Sequence, residues 1–316
     1  MPASTGNRSY AAAHFALELD GKDGVGLFRS IEGGGVRTDV MTYQNGPNYD
    51  RWRQLGKPKF EDIKLQVGMS MSQPFYDWIE KFFNGVAVRK TGAIVAADFY
   101  YNERARRDFK EAMIKELTFP KLDGSDKNAA YMTIGLSVED IVFKKGSGAK
   151  LAPPKGFHSQ KLWTACNFRM TVQGFETACK RVSKIDSFTV KQNVIEYHMG
   201  GQLAPTKTPS AIEFPNITFY LPEADAQPFA DHFTNNGKLA IKNDVPNPSP
   251  LHGSIVTFDN EKRDLFTLSF TGADILSVSP DRSDSTSEEI KFVKVELYTE
   301  KMTFEYTTLP ADEAKG

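Results

Sequence analysis

The sequence predicts a mainly β protein with short helices, built as two tandem antiparallel β-barrel or sandwich domains, each with one covering helix. Three observations predict it. Aromatic residues are plentiful and skewed (23 Phe and 11 Tyr against 3 Trp), and they sit in short alternating runs, as in strands that bury one face. The order of strand, turn, break and helix occurs twice along the chain. At 316 residues the chain also exceeds the usual size of one domain.

In the first half, alternation of Phe15, Leu17 and Leu19 marks a strand, and Asp20-Gly21 with Asp23-Gly24 supplies hairpin-turn chemistry. A second strand carries Val25, Leu27 and Phe28, Gly33-Gly34-Gly35 breaks the pattern, and a third strand runs through Val36, Val40 and Tyr43. Tyr49, Arg51, Trp52 and Arg53 read as a loop, and Lys59 to Val67 as one further strand. A helix follows: Ser72 as N-cap, Pro74 in the first turn, and Phe75, Trp78, Ile79, Phe82 and Phe83 at helical spacing up to Gly85. Such a stripe is a packing face towards the barrel. YMTIGLSVEDIVFKKG closes the half with strands.

The second half repeats the order. Phe168, Met170 and Val172 alternate as Phe15, Leu17 and Leu19 do, offset by 153 residues (168 − 15). Gln173-Gly174 is the turn, strands continue through Phe175 and Val182, and a polar break at 183–187 precedes a strand from Phe188 to Tyr197. Phe214 to Leu221 reads as a strand, Pro222 to Gly237 as the helix region, and IKFVKVELYTEKMTFEY as the closing strands. Gly, Pro, Ser and Lys dominate the joint, so the expected domains are 1–145 and 165–316, with 146–164 as linker and a frayed C-terminus.

Charge narrows the function classes. With 39 Lys and Arg against 40 Asp and Glu, the formal net charge of −1 supplies no global field for nucleic acid or an anionic membrane. The opening MPASTGNRSY has no apolar core of a signal peptide, and no run approaches the length of a membrane helix. Synthesis in the cytoplasm is expected, without a signal peptide and without membrane association. Cys166 and Cys179 flank an expected turn; free reduced thiols are the expected state, with a disulfide as the alternative.

No catalytic constellation emerges. The five histidines lack metal-ligand spacing, and the adjacent pairs Glu139-Asp140 and Glu288-Glu289 point to opposite faces of a strand. Gly33-Gly34-Gly35 lacks the lysine of a phosphate loop. The expectation is therefore no enzyme, no metal and no cofactor. The basic run Arg104 to Lys110 reads as a solvated turn or a salt-bridge face between subunits, because Glu103, Asp108 and Glu111 offset it; contact with DNA or an anionic cargo is the alternative.

GLFRSIEGGGVRTDVMTYQNG, RWRQLGKPKFEDIKLQVGMS and QPFYDWIEKFF together resemble the tail tube protein family of contractile phages and related injection systems. Val138-Glu139-Asp140-Ile141 is similar to that family's closing strand. The basic loop departs from the family order, reading Gln54-Leu55-Gly56-Lys57-Pro58, and the second half matches mainly by topology. The resemblance implies a duplicated subunit of a hollow tube, a tube protein or a tube-end adapter or hub, in a virion tail or an injection particle. It implies rings of trimers or hexamers that stack, neighbouring tail, tube or baseplate proteins, a sheath, and a lumen carrying DNA or effector protein without sequence-specific binding. It also places assembly contacts on a stacking loop and edge, at Tyr43, Asn45, Tyr49, Arg51, Trp52, Arg53, Lys57 and Pro58. Aromatic and Arg residues suit an interface anchor, whereas a loop folded back on its own domain is the alternative. A two-domain β-sandwich that binds carbohydrate or protein is the rival from another class.

Overall fold

The computed structural model describes residues 14–44, 46, 51–69, 71–151, 163–201, 204–237, 250–281 and 290–307. In the first half the strands are β1 (His14–Leu19), β2 (Lys22–Phe28), β3 (Ser30–Gly33), β4 (Val36–Gln44), β5 (Arg51–Phe60) and β6 (Ile63–Val67). Helix α1 (Gln73–Phe83) leads to β7 (Lys90–Ala97), β8 (Glu103–Phe119), β9 (Leu122–Asp123), β10 (Met132–Ser137) and β11 (Asp140–Lys145). Pairing is antiparallel throughout, in the order β2-β1-β7-β8-β10-β6-β3, with β11 also on β8. The 17 residues of β8 serve two layers: one end pairs with β7 and β11, the other with β10.

The second half contains β12 (Phe168–Val172), α2 (Glu176–Cys179), β13 (Lys184–Ile185), β14 (Phe188–Tyr197), β15 (Thr206–Glu213) and β16 (Ile217–Pro222). Then come a 3-10 turn (Glu223–Asp225), α3 (Gln227–His232), β17 (Leu251–Phe258), β18 (Asp264–Pro280), β19 (Phe292–Tyr298) and β20 (Lys301–Tyr306). Its pairing order, β12-β17-β18-β19-β16-β13 with β20 on β18, repeats that of the first half from β1 to β3 with β11 on β8, while α2 stands in sequence where the first half has β2.

The repetition extends to irregularities. Phe109 on β8 faces Gly92 and Ile141, and Phe270 on β18 faces Gly253 and Met302. One residue bulges between Ile114 and Glu116 opposite β10, and one between Ile275 and Ser277 opposite β19. Both bulges bend the long strand from one layer into the other. At the turns before the long strands, Asp98 accepts the backbone N–H groups of Tyr100 and Asn102, and Asp259 those of Glu261 and Arg263. Tyr101 and Lys262 hold the left-handed position of these turns, each with φ of 66°.

Three readings need correction. Lys59 to Val67 is two strands, because the backbone of Glu61 leaves the ladder to bond Gly35 and β6 restarts at Ile63. Arg51, Trp52 and Arg53 belong to β5, paired with Thr42, Tyr43 and Gln44, so the loop assigned there is shorter than expected. Phe175 to Val182 contains α2 instead of a strand: the Cys179 N–H bonds the Phe175 carbonyl at 2.9 Å, and Phe175 stacks on Phe229 at 4.6 Å. One helical turn buries Ala178 and Cys179 where an extended segment would carry them past the core.

One hydrophobic cluster runs through both halves. Helix α1 buries Phe75, Tyr76, Trp78, Ile79, Phe82 and Phe83, each contributing about 1.5–3 kcal/mol of burial free energy. It packs across onto β20: Tyr76 stacks on Tyr306 at 3.9 Å, and Phe83 on Phe304 at 5.9 Å. Trp78 satisfies its indole N–H on the Val88 carbonyl at 3.0 Å.

Candidate assembly edges

The two halves are stitched by a sheet seam. Phe188, Thr189, Val190 and Lys191 of β14 pair antiparallel with Phe119, Thr118, Leu117 and Glu116 of β8. The threonine hydroxyls meet at 2.9 Å, and Ser187 Oγ donates to the Phe119 carbonyl at 2.8 Å. Leu117 and Val190 are fully buried. Through this seam the hairpin β14–β15 extends the first half's sheet, and β9 returns the exchange by pairing with β13. Polar contacts pin the hairpin: Arg89 bonds both Glu139 at 3.2 Å and the Lys207 carbonyl at 2.5 Å, and the Lys207 N–H donates to Glu139 at 2.6 Å. Lys207 itself is buried, its ammonium 3.2 Å from Ser137 Oγ.

Hairpin β4–β5 is the counterpart of β14–β15, down to a bulge between Thr38 and Val40 that matches the one between Gln192 and Val194. Yet it forms a separate two-stranded sheet. Val36, Val40, Met41, Tyr43, Trp52 and Leu55 are all exposed, Trp52 and Leu55 to 68%. A bare two-stranded ribbon is marginal in water, and these apolar groups suit a partner surface.

Of the site residues expected from the sequence, Tyr43 and Trp52 are cross-strand partners, Arg51 faces Gln44, Arg53 faces Thr42, and Pro58 faces Thr38. Lys57 and Pro58 line a groove of about 630 Å³, with Arg37 from β4 and with Glu196 and Lys207 from the neighbouring hairpin. Asn45 and Tyr49 lie outside the described residues. Asp39 meets Lys59 at 2.6 Å, and that hydrogen bond and charge hold its carboxyl below the usual range.

The basic run Arg104 to Lys110 forms the start of β8 and not a turn. Its charges are answered within the chain: Arg104 by Asp98 at 2.7 Å, Arg106 by Glu18 and Asp108, Lys110 by Asp140, and Arg107 by the Gly33 carbonyl at 3.1 Å. Sequence reasoning missed His232–Asp274, a 3.0 Å contact that ties α3 to β18. Spacing in sequence carried no signal for that pair. Cys166 and Cys179 are both free. Among the described residues no group of three or more His, Cys, Asp or Glu is placed to hold a metal, and no helix is long and apolar enough to cross a membrane.

Among the described residues the fold is a duplicated antiparallel sheet pairing with an exposed two-stranded hairpin, β4–β5. Residues 11–142 match the family model of the T4-like virus tail tube protein gp19. Among solved structures, a chain of the PVC sheath-tube complex of an extracellular contractile injection system is similar at 18% identity, covering 44% of this chain and 94% of that one, with a TM-score of 0.38. A chain of the anti-feeding prophage tube-terminating cap is similar at 17% identity, over 46% of this chain and 100% of that one, with a TM-score of 0.37. No curated protein sequence matches the chain.

Proposed function

We propose that this protein is a structural subunit of a phage tail or contractile injection particle, made of two tail-tube units in tandem (1–145 and 165–316, joined by 146–164) that close rings around a lumen. The observation that carries the reading is the β8–β14 seam, in which one unit's hairpin extends the other unit's sheet. Repetition of that arrangement between chains gives a closed β-lined ring. Three chains supply six units in one ring; six chains supply two stacked layers. The role is geometric and non-catalytic: a rigid conduit, as repeating tube or as tube-end adapter, through which DNA or effector protein passes. Tyr43, Asn45, Tyr49, Arg51, Trp52, Arg53, Lys57 and Pro58 belong to contacts with the next ring or with other tail, baseplate or sheath proteins.

Negative-stain electron microscopy with solution mass tests this. Rings or tubes with a central channel, at trimer or hexamer mass, are expected, with long polymers assigning the repeating tube and single rings the adapter. A homogeneous monomer at high concentration overturns self-assembly and returns the chain to a β-sandwich binding module.

A further inference from the structure

The seam inside the chain has an unfilled counterpart at each end of it. On β8, the residues that receive β14 are Glu116 to Phe119; on β18 the matching residues, fixed by the shared bulge, are Ser277, Val278, Ser279 and Pro280. This stretch of β18 pairs with β19 on one side, and among the described residues no strand pairs with its other edge. The strand matching β14 is β4, whose bulge sets Val36 in the place of Val190 and Arg37 in that of Lys191. Val190 is buried in the internal seam, whereas Val36 is 43% exposed.

A second pair of surfaces points the same way. Within the chain, α1 of the first half covers Phe304 on β20 of the second, leaving it 2% exposed. The residue matching Phe304 is Phe143 on β11, which stands 59% exposed. At the C-cap of α3, Phe233 follows Phe229 as Ile79 follows Phe75 on α1; Ile79 is fully buried and Phe233 is 42% exposed. So among the described residues the second half lacks what the first half has, a neighbour's hairpin and a neighbour's last strand, and the first half displays both of those elements exposed.

We propose that β4 of a second copy of this chain adds antiparallel to the free edge of β18, with Val36 opposite Val278 and Arg37 opposite Ser277, while Phe143 of that copy closes under α3 against Phe233. Complementarity of charge supports the register. The internal seam sets Lys191 against Glu116, which faces Gly135; in the second half the carboxylate has moved across to Glu296, 3.4 Å from Ser277 Oγ, within reach of Arg37. The proposal rests on the ring reading above and specifies its joint.

Disulfide trapping tests it. In a Cys166→Ser, Cys179→Ala background, Val36→Cys is combined with Val278→Cys, and separately Arg37→Cys with Ser277→Cys. Adjacent antiparallel pairs alternate between narrow and wide, so one of the two combinations suits an S–S bond. Mild oxidation is expected to convert most of the chain into reducible covalent oligomers, and the off-register pair Val36→Cys with Ser279→Cys to leave it at least tenfold less cross-linked. Phe143→Arg, at an exposed position, is expected to lower the solution mass while leaving circular dichroism and melting temperature unchanged. Rings by microscopy with no on-register cross-link, or with stronger off-register trapping, overturn the joint and leave the ring reading standing. A monomer that neither assembles nor cross-links overturns both.

Discussion

Glu111 on β8 and Gly272 on β18 occupy the same position, two residues past the matched Phe109 and Phe270, and both have left-handed backbone, with φ of 51° and 63°. A side chain there costs about 1–2 kcal/mol, which glycine avoids at some cost in unfolded-chain entropy. Glu111→Gly is therefore expected to stabilise the protein by about 0.5 kcal/mol, even with its 3.5 Å contact to Arg89 removed. Gly272→Ala is expected to destabilise by about 1 kcal/mol. Urea unfolding midpoints decide; equal signs for the two changes would show that the two positions are not under the same strain.

Gly92 and Gly253 each lie beneath a phenylalanine ring. A Cβ on Gly92 would sit 2.1 Å from the Glu18 carbonyl oxygen and 2.8 Å from Phe109 Cζ. On Gly253 it would sit 2.4 Å from both the Thr171 oxygen and Phe270 Cζ. Backbone on one side and a buried ring on the other leave no room to yield, so Gly92→Ala and Gly253→Ala are each expected to cost about 2–3 kcal/mol. Chemical denaturation measures this, and a loss below about 0.5 kcal/mol at either site would refute the shared packing.

Much of the strand order was legible because one buried face imposes period-two alternation, as in Phe15, Leu17 and Leu19 or in Phe168, Met170 and Val172. Where both faces are exposed that signal vanishes. Arg51, Trp52 and Arg53 lie in a hairpin with no buried side, so their strand looked like loop. Phe175 and Val182 misled for the opposite reason, since apolar residues feeding one pocket through a helical turn can mimic a strand. The seam was invisible in sequence: Glu116 to Phe119 alternates like any half-buried strand, and only tertiary pairing selects β14 as its partner. Of the expected contact residues, Tyr43 was read on a strand and lies on β4, whereas Arg51, Trp52 and Arg53 were read as loop and lie on β5.

Acid sensitivity follows from the repeated turns. Burial disfavours the charge on Asp98, but hydrogen bonds from the Asn102 backbone, Arg104, the Asn102 side chain and the Tyr100 backbone outweigh it and bring its carboxyl to about 2. Asp259 is lowered by the same balance: burial opposes its charge, and hydrogen bonds from Arg263 and Glu261 outweigh that. Hydrogen bonds from Lys121 and Ser125 bring Asp123 to about 2. A carboxylate depressed below its ordinary value of 3.8 stabilises the fold fully above that value and loses the contribution as pH falls through the folded value. Melting temperature is thus expected to hold down to about pH 4 and to drop towards pH 2. Asp98→Asn with Asp259→Asn should lower it at neutral pH and flatten the acid limb; an unchanged limb would assign the acid loss to other carboxylates.

The two thiols should separate in reactivity. Cys179 is buried in α2, and that burial pushes its thiol up to about 11, against a weaker opposing hydrogen bond from the Val172 backbone. Thiolate is the reacting form, so at pH 8 Cys179 is starved of both access and charge. Cys166 is half-buried, with its sulfur 3.4 Å from Thr164 Oγ. In the native protein a maleimide is expected to label Cys166 within minutes and Cys179 at least a hundredfold more slowly, with both labelled at once in denaturant. The rate at Cys179 then reports opening of the packing around Ala178 and Val172, because the sulfur reacts only when that region separates. Its labelling should slow further at protein concentrations where rings form, since assembly adds to the free energy of opening. Rapid native labelling at Cys179 would show that α2 does not shield it, and the account of why a helical turn replaces a strand there would fall with it.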